Sequence, residues 1–203
     1  MAKTGLERKG LPPVADYGAT ILILGAFPGE ESLRRQQYYA HPRNLFWDIM
    51  GELCGAGRDK TYTERVAVLL HNGIALWDVL ASCSRIGSMD ADIRRGGFSV
   101  NDFRAFLTLH RIGSIFFDGA KAAELFRRHV VPTLADTPEL IALPSTSPAN
   151  VRVDRQEKLC RWLEIRKYLS DRDAAGKEQR DTAAGQKSDR CSTGGMPGAA
   201  AKD

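Results

Sequence analysis

The chain has 203 residues, 43% of them hydrophobic, enough to bury one sizeable core and too few for two ordinary domains. Its 29 Lys and Arg against 25 Asp and Glu leave a net charge of +4, which admits a polyanionic partner but excludes a binder that works by charge alone. Cys54, Cys83, Cys160 and Cys191 form no Cys-x-x-Cys pair and have no nearby His, so neither a zinc site nor a disulfide framework is suggested, and a reducing, cytoplasmic setting fits.

Residues 1–17 read as a polar N-terminal extension, and residues 18–170 as one domain. The run at 20–24 predicts a buried strand, and Gly25 to Gly29 a turn after it. Pro42 stands where a first helical turn tolerates proline, and Leu45, Phe46, Ile49, Met50 and Leu53 then share one helical face. A helix over 63–72 is expected to close at Gly73 in a left-handed cap. A second strand starts at Ile74 and runs to 80; Asn101 caps a helix with Phe103, Phe106, Leu107 and His110 inside. A third strand over 112–117 leads into a helix over 119–130 with Ala122, Leu125 and Phe126 inward. A fourth strand at 140–143 precedes a last helix over 154–169 that buries Leu159, Trp162, Leu163 and Ile165, while Trp47 and Trp77 read as core.

Beyond residue 170 there is no aromatic residue, and six basic residues balance six acidic ones; this stretch, 171–203, reads as a disordered polar tail. The positive surplus therefore belongs to the domain. Strands alternating with helices predict an α/β fold, a three-layer α/β/α sandwich around a central, mainly parallel four-stranded sheet, with no internal repeat. No run approaches the roughly 18 apolar residues of a membrane span, so no membrane partner is expected.

Sheets of this kind bind ligands outside the carboxyl ends of their strands, which directs attention to two loops. After the first strand comes Gly25-Ala26-Phe27-Pro28-Gly29, a sharp turn whose glycines let main-chain amides approach a ligand, although Gly-Pro turns also end many strands. Gln37-Tyr38-Tyr39-Ala40-His41-Pro42-Arg43-Asn44-Leu45-Phe46-Trp47 follows. After the fourth strand comes Leu143-Pro144-Ser145-Thr146-Ser147-Pro148-Ala149-Asn150, a loop rich in hydroxyls between prolines.

The pattern Gly-x-x-Pro-Gly followed by Tyr-Tyr-Ala-His-Pro-Arg-Asn-x-Phe-Trp resembles the first motif region of the mismatch-specific and hypoxanthine-DNA glycosylases of the uracil-DNA glycosylase superfamily. The Pro-Ser loop is similar to that superfamily's second motif. Gly73 to Leu80, Gly87 to Asp90 and Phe117 to Ala122 resemble the hypoxanthine (deoxyinosine) branch, so the likeness spans about residues 18 to 166 in order. It implies a monofunctional enzyme of base-excision repair that flips a deaminated base, hypoxanthine first, out of duplex or single-stranded DNA and hydrolyses its N-glycosidic bond.

The resemblance assigns base contacts to Gly25, Ala26, Phe27, Pro28 and Gly29, and base stacking to Tyr39, with rim or core use as the alternative for both tyrosines. Asn44 matches the Asn implied as catalytic in the hypoxanthine branch; a helix-start amide satisfying backbone donors is the competing use. Phe27 stands where mismatch-specific relatives carry a water-positioning Asn or Asp, so that role must move. Asp78 and Asp90 read as structural, and as rivals to Asn44 if buried beside the base.

DNA contacts are expected from His41, Arg43, Ser145, Thr146, Ser147, Pro148, Ala149 and Asn150, the serines fixing phosphates and Pro148 or Ala149 filling the vacated space. A cap for His41, a solvated charge for Arg43 and a plain turn for the loop remain open. No metal or organic cofactor and no obligatory protein partner is implied, and the chain reads as a monomer. Lys121, the nearest lysine to the motifs, falls at a helix start, which argues against a Schiff-base lyase. Two other functions stay open: a uracil-DNA glycosylase acting on G:U mismatches or single-stranded uracil, and a damaged-DNA-binding module without turnover.

Overall fold

The computed structural model describes residues 7–84 and 97–169. Asp90, its neighbours from Gly87, the tail beyond 170 and Cys191 lie outside the described residues.

Four strands make a parallel sheet in the order β3-β2-β6-β7: β2 (Ile21–Gly25), β3 (Ile74–Asp78), β6 (Ser114–Asp118) and β7 (Glu139–Leu143). They were legible as strands because a parallel sheet covered on both faces needs unbroken apolar runs. Ile21 through Leu24 are at most 1% exposed, and the five residues of β3 and of β6 are all buried. The helices α3 (Tyr62–His71), α5 (Ala120–His129) and α6 (Arg155–Leu163) pack against β3, β6 and β7, and α6 also against α2 (Phe46–Cys54). The architecture is the expected α/β one, a four-stranded parallel sheet flanked by helices.

A second sheet was not predicted. β1 (Glu7–Lys9), β4 (Leu80–Ser84) and β5 (Phe98–Val100) pair antiparallel in the order β1-β4-β5. The run starting at Ile74 is two strands, because the chain leaves the parallel sheet at Val79, whose N–H donates to the Gly25 carbonyl at 2.9 Å. Residues 7–14, read as part of an extension, are bound to the domain: β1 pairs with β4, and Val14 exchanges hydrogen bonds with Leu76 on the outer edge of β3.

Three helix expectations change. α2 begins at Phe46, and Pro42 lies before it in a turn closed by the Asn44 N–H on the His41 carbonyl at 2.9 Å. Asp102, not Asn101, caps α4 (Phe103–Leu109) by accepting from Ala105 N; Asn101 donates to the Asp78 carbonyl at 2.8 Å instead. The last helix is broken: α6 ends at Leu163, and α7 (Arg166–Leu169) starts beyond buried Ile165. The other two elements are α1 (Glu30–Arg35) and a 3₁₀ turn at Val131–Thr133. Gly73 takes the expected left-handed φ of 72°, and Thr61 closes a capping box with Glu64 at the head of α3.

Trp162 is fully buried on α6, and its Nε1 donates to the Pro144 carbonyl at 2.9 Å, which fastens the loop after β7 to the helix layer. Trp162→Phe is expected to lower unfolding free energy by about 2 kcal/mol, since the carbonyl loses its donor and the smaller phenyl leaves part of the indole's space empty. Urea unfolding measures this; an unchanged midpoint would mean that the carbonyl finds another partner.

Candidate active site

Because β2, β3, β6 and β7 run parallel, their last residues share one edge: Gly25 is in register with Asp78, and Asp118 with Leu143. Two carboxylates are therefore buried there, Asp78 at 4% and Asp118 at 8% exposure. A Cβ on Gly25 would stand 2.3 Å from Asp78 Oδ1 and 3.8 Å from the Tyr39 hydroxyl oxygen. Glycine is required at this point by the close approach of a carboxylate.

The turn after β2 is less bare than its glycines imply. Gly29 has an ordinary φ of −68° and stands as the N-cap residue of α1, while Ala26, Phe27 and Pro28 are buried. The Phe27 ring lies against Gly10, within 3.6 Å of where a Cβ would stand there, so it is a core residue and not an open platform for a base. The Gly25 and Ala26 carbonyls accept from Val79 N and Leu80 N at 2.9 and 3.1 Å, which locks the turn to the start of β4.

The paired tyrosines have different roles. Tyr38 is buried, its hydroxyl donating to the carbonyls of Leu11 at 3.3 Å and Pro12 at 3.1 Å, while its own carbonyl accepts from Trp47 Nε1. It is a strut. Tyr39 is half-buried and has a φ of 54°, a left-handed conformation that costs a residue with a side chain about 1–2 kcal/mol. Strain of this kind persists only where the surroundings hold it, and it gathers at functional sites. Two contacts hold it here. The ring lies flat on Phe46, with centroids 3.7 Å apart and planes 12° from parallel, and the hydroxyl stands beside the Asp118 carboxylate. Burial, then the charges of Asp118 and Asp78, push this phenol well above its ordinary pKa, so it stays a protonated donor.

Asn44 follows the 41–44 turn. Its Oδ1 accepts from Phe46 N at 2.9 Å, the helix-start use weighed against catalysis, and its carbonyl accepts from Arg58. The bond leaves the amide nitrogen as the donor end of a fixed group. His41 Nδ1 accepts from Arg43 N at 3.2 Å, and the Arg43 side chain lies on an exposed residue.

The loop after β7 is braced from within. Ser145 Oγ accepts from Ser147 N at 3.2 Å, Ser147 Oγ from Ala149 N at 3.3 Å, and the Ser145 carbonyl from Asn150 Nδ2 at 3.1 Å. Buried Lys158 then holds the Asn150 carbonyl through Nζ at 2.6 Å. Each serine oxygen accepts a backbone N–H and keeps its own O–H as a donor. Pro148 and Ala149 are exposed at the tip, as is Val151 at 85%, a residue that the sequence did not single out. Thr146 does not face outward: it is fully buried, with its N–H and hydroxyl donating to Asp118 at 2.6 and 2.7 Å. The expected surface contact at Thr146 is thus an internal one.

The two loops meet. Leu45 N donates to the Thr146 carbonyl at 3.0 Å, and Asp118 touches both Thr146 and Tyr39. Lys121 stands in the first turn of α5 and pairs with Glu124 at 3.1 Å. A cavity of about 450 Å³ is lined by Leu45 together with Asp48, Glu52, Arg58, Lys60 and Arg155; neither Tyr39 nor Gly25 is in its lining. Asp118 and the Phe46 floor under Tyr39 were missed by sequence reasoning, although an acid ending the apolar run at 115–118 was a readable sign of a strand terminus facing the site. Among the described residues no helix is long and apolar enough to cross a membrane.

A parallel sheet with two such loops joined across its carboxyl edge defines a class: residues 12–168 match the model of the uracil DNA glycosylase superfamily, and the chain belongs to that superfamily. Within it, a hypoxanthine DNA glycosylase of Methanosarcina acetivorans is 38% identical over 154 residues, covering 74% of this chain and 93% of the relative. One from Methanosarcina barkeri is 36% identical over 121 residues, covering 59% of this chain and 75% of the relative. A solution NMR structure from Methanosarcina acetivorans, assigned as a candidate uracil DNA glycosylase, is 34% identical with a TM-score of 0.68 and covers 81% of this chain and 99% of its own.

Proposed function

We propose that this chain is a hypoxanthine-DNA glycosylase, which everts a deaminated purine from DNA and cuts its glycosidic bond to leave an abasic site. The observation that carries the reading is Tyr39, a strained aromatic backed by Phe46 at the carboxyl edge of the sheet. An everted base stacking on such a ring gains roughly 1–3 kcal/mol, which offsets much of the cost of unstacking it from the duplex. The names borne by the Methanosarcina relatives point to hypoxanthine as that base.

In the reaction the C1′–N9 bond breaks with its electron pair moving to the purine, water oxygen bonds to C1′, and the water's proton ends on the departing base or in solvent. Asn44, its carbonyl end tied to the helix, directs its amide N–H groups to the developing purine anion and the incoming water, where prearranged dipoles act best. A second reading gives water orientation to Asp78, favoured by its burial beside Gly25 and the Tyr39 hydroxyl. Ser145 and Ser147, with His41, Arg43, the exposed Pro148 and Ala149 and the half-buried Asn150, grip the DNA backbone. The enzyme acts as a monomer in the cytoplasm, and the segment beyond 170 takes no part in catalysis.

The test is incubation with oligonucleotides bearing one hypoxanthine or one uracil, single-stranded and duplex, then alkaline cleavage of abasic sites. Breaks at hypoxanthine are the expected result. Breaks at uracil alone would give the chain the activity assigned to the NMR relative, and tight binding without breaks would make it a damage-binding module.

A further inference from the structure

Asp118 ends an apolar strand, is buried, accepts two hydrogen bonds from one loop and lies beside the Tyr39 hydroxyl of another. Thr146 N and Thr146 Oγ1 reach it from the loop after β7 at 2.6 and 2.7 Å. The Tyr39 hydroxyl stands beside it from the loop before α2, near enough for the carboxylate's charge to push the phenol's pKa up. The next residue, Gly119, has a φ of 97°, and a Cβ there would lie 2.9 Å from Ser145 Cβ, so the chain leaves β6 flush against the phosphate-facing loop. With Leu45 N on the Thr146 carbonyl, the three segments form one hydrogen-bonded unit, joined through Thr146 and anchored at its buried end by the carboxylate.

We propose that Asp118 is a positioning residue that holds the stacking ring of Tyr39 and the serine-bearing loop at a fixed separation, so that base and phosphate are seized in one geometry. The proposal rests on the stacking role given to Tyr39 above. Both oxygens of Asp118 are occupied by Thr146 donors, which makes the group a fixed acceptor and not a proton carrier. A left-handed tyrosine does not keep its conformation unaided; Phe46 supports the ring face, and the Asp118 charge beside the hydroxyl favours the angle at which its O–H faces the carboxylate. Misplacing reacting groups by about 1 Å can cost on the order of a hundredfold in rate.

The experiment measures single-turnover excision from a duplex carrying one hypoxanthine, affinity for the same duplex without a lesion, and thermal unfolding, for Asp118→Asn, Thr146→Val, Thr146→Ser, Tyr39→Phe and Tyr39→Ala. Asp118→Asn and Thr146→Val are expected to slow excision by about tenfold or more with lesion-free affinity within about twofold, and Thr146→Ser, which keeps the hydroxyl, to restore most of the rate. Asp118→Asn combined with Tyr39→Phe should be no slower than Asp118→Asn alone, because the two remove one contact. Additive losses, or wild-type rates in both Asp118→Asn and Thr146→Val, overturn the proposal. Should Asp118→Asn fail to fold, the Thr146 pair decides. Tyr39→Ala separates the two ideas: a slow Tyr39→Ala beside unimpaired Asp118 and Thr146 variants sinks the clamp alone, whereas a wild-type rate in Tyr39→Ala sinks the stacking role and the clamp together.

Discussion

Asn44→Ala is expected to slow single-turnover release of hypoxanthine by about 10- to 100-fold while leaving DNA affinity close to that of the parent, the loss typical of removing one prearranged donor. The side chain touches the protein through Oδ1 on Phe46 N, so the substitution also removes a helix-start bond worth about 1 kcal/mol. Asn44→Asp separates the two effects: it keeps the acceptor and loses the amide donor, and should be as slow as alanine with the helix start intact. Asp78→Asn, measured in parallel, tests the competing assignment. If Asn44→Ala turns over at the parent rate and Asp78→Asn does not, water orientation belongs to the carboxylate at the end of β3.

The largest effect on stability is expected from Gly119→Ala. With φ 97° and ψ 160°, this residue occupies a backbone region that is essentially closed to side chains, at a cost on the order of 1–3 kcal/mol. The added Cβ would also sit 2.9 Å from Ser145 Cβ, a distance only a shift of the loop can relieve, which puts the loss at the upper end of that range. Gly113→Ala is the control: its Cβ would meet only the Thr20 carbonyl oxygen at 3.9 Å, and its effect should stay within about 1 kcal/mol. Chemical denaturation compares the two. Equal midpoints would mean that the turn after β6 relaxes freely and that the loop after β7 is not held by it.

The parallel sheet was legible because its strands β2, β3 and β6 are buried on both faces and must be apolar almost throughout, as 21–24 and 115–117 are, while β7 shows the short apolar run 140–143. The antiparallel sheet was not, because β1 is Glu-Arg-Lys and β5 has three residues, so neither shows a hydrophobic period. Pro42 was placed one turn too far into a helix since proline suits both a helix start and the second position of a turn, and only the hydrogen bond from Asn44 to His41 separates them. Tyr39 and Asn44 could be singled out from their motif. That Phe46 backs Tyr39, that Phe27 turns into the core and that Thr146 faces inward could not.

The amino-acid order by itself determined the α/β class, the two loops proposed to carry chemistry and the superfamily, because periodicity and short motifs are local properties that survive without coordinates. Tertiary structure decided which polar atoms are spent on the protein and which remain for DNA. Thr146 and Asp118 are 28 residues apart, and Leu45 and Thr146 are farther still, yet each pair is one hydrogen bond long. Satisfying buried donors and acceptors depends on what the fold brings within 3 Å, and no pattern along the chain encodes that distance.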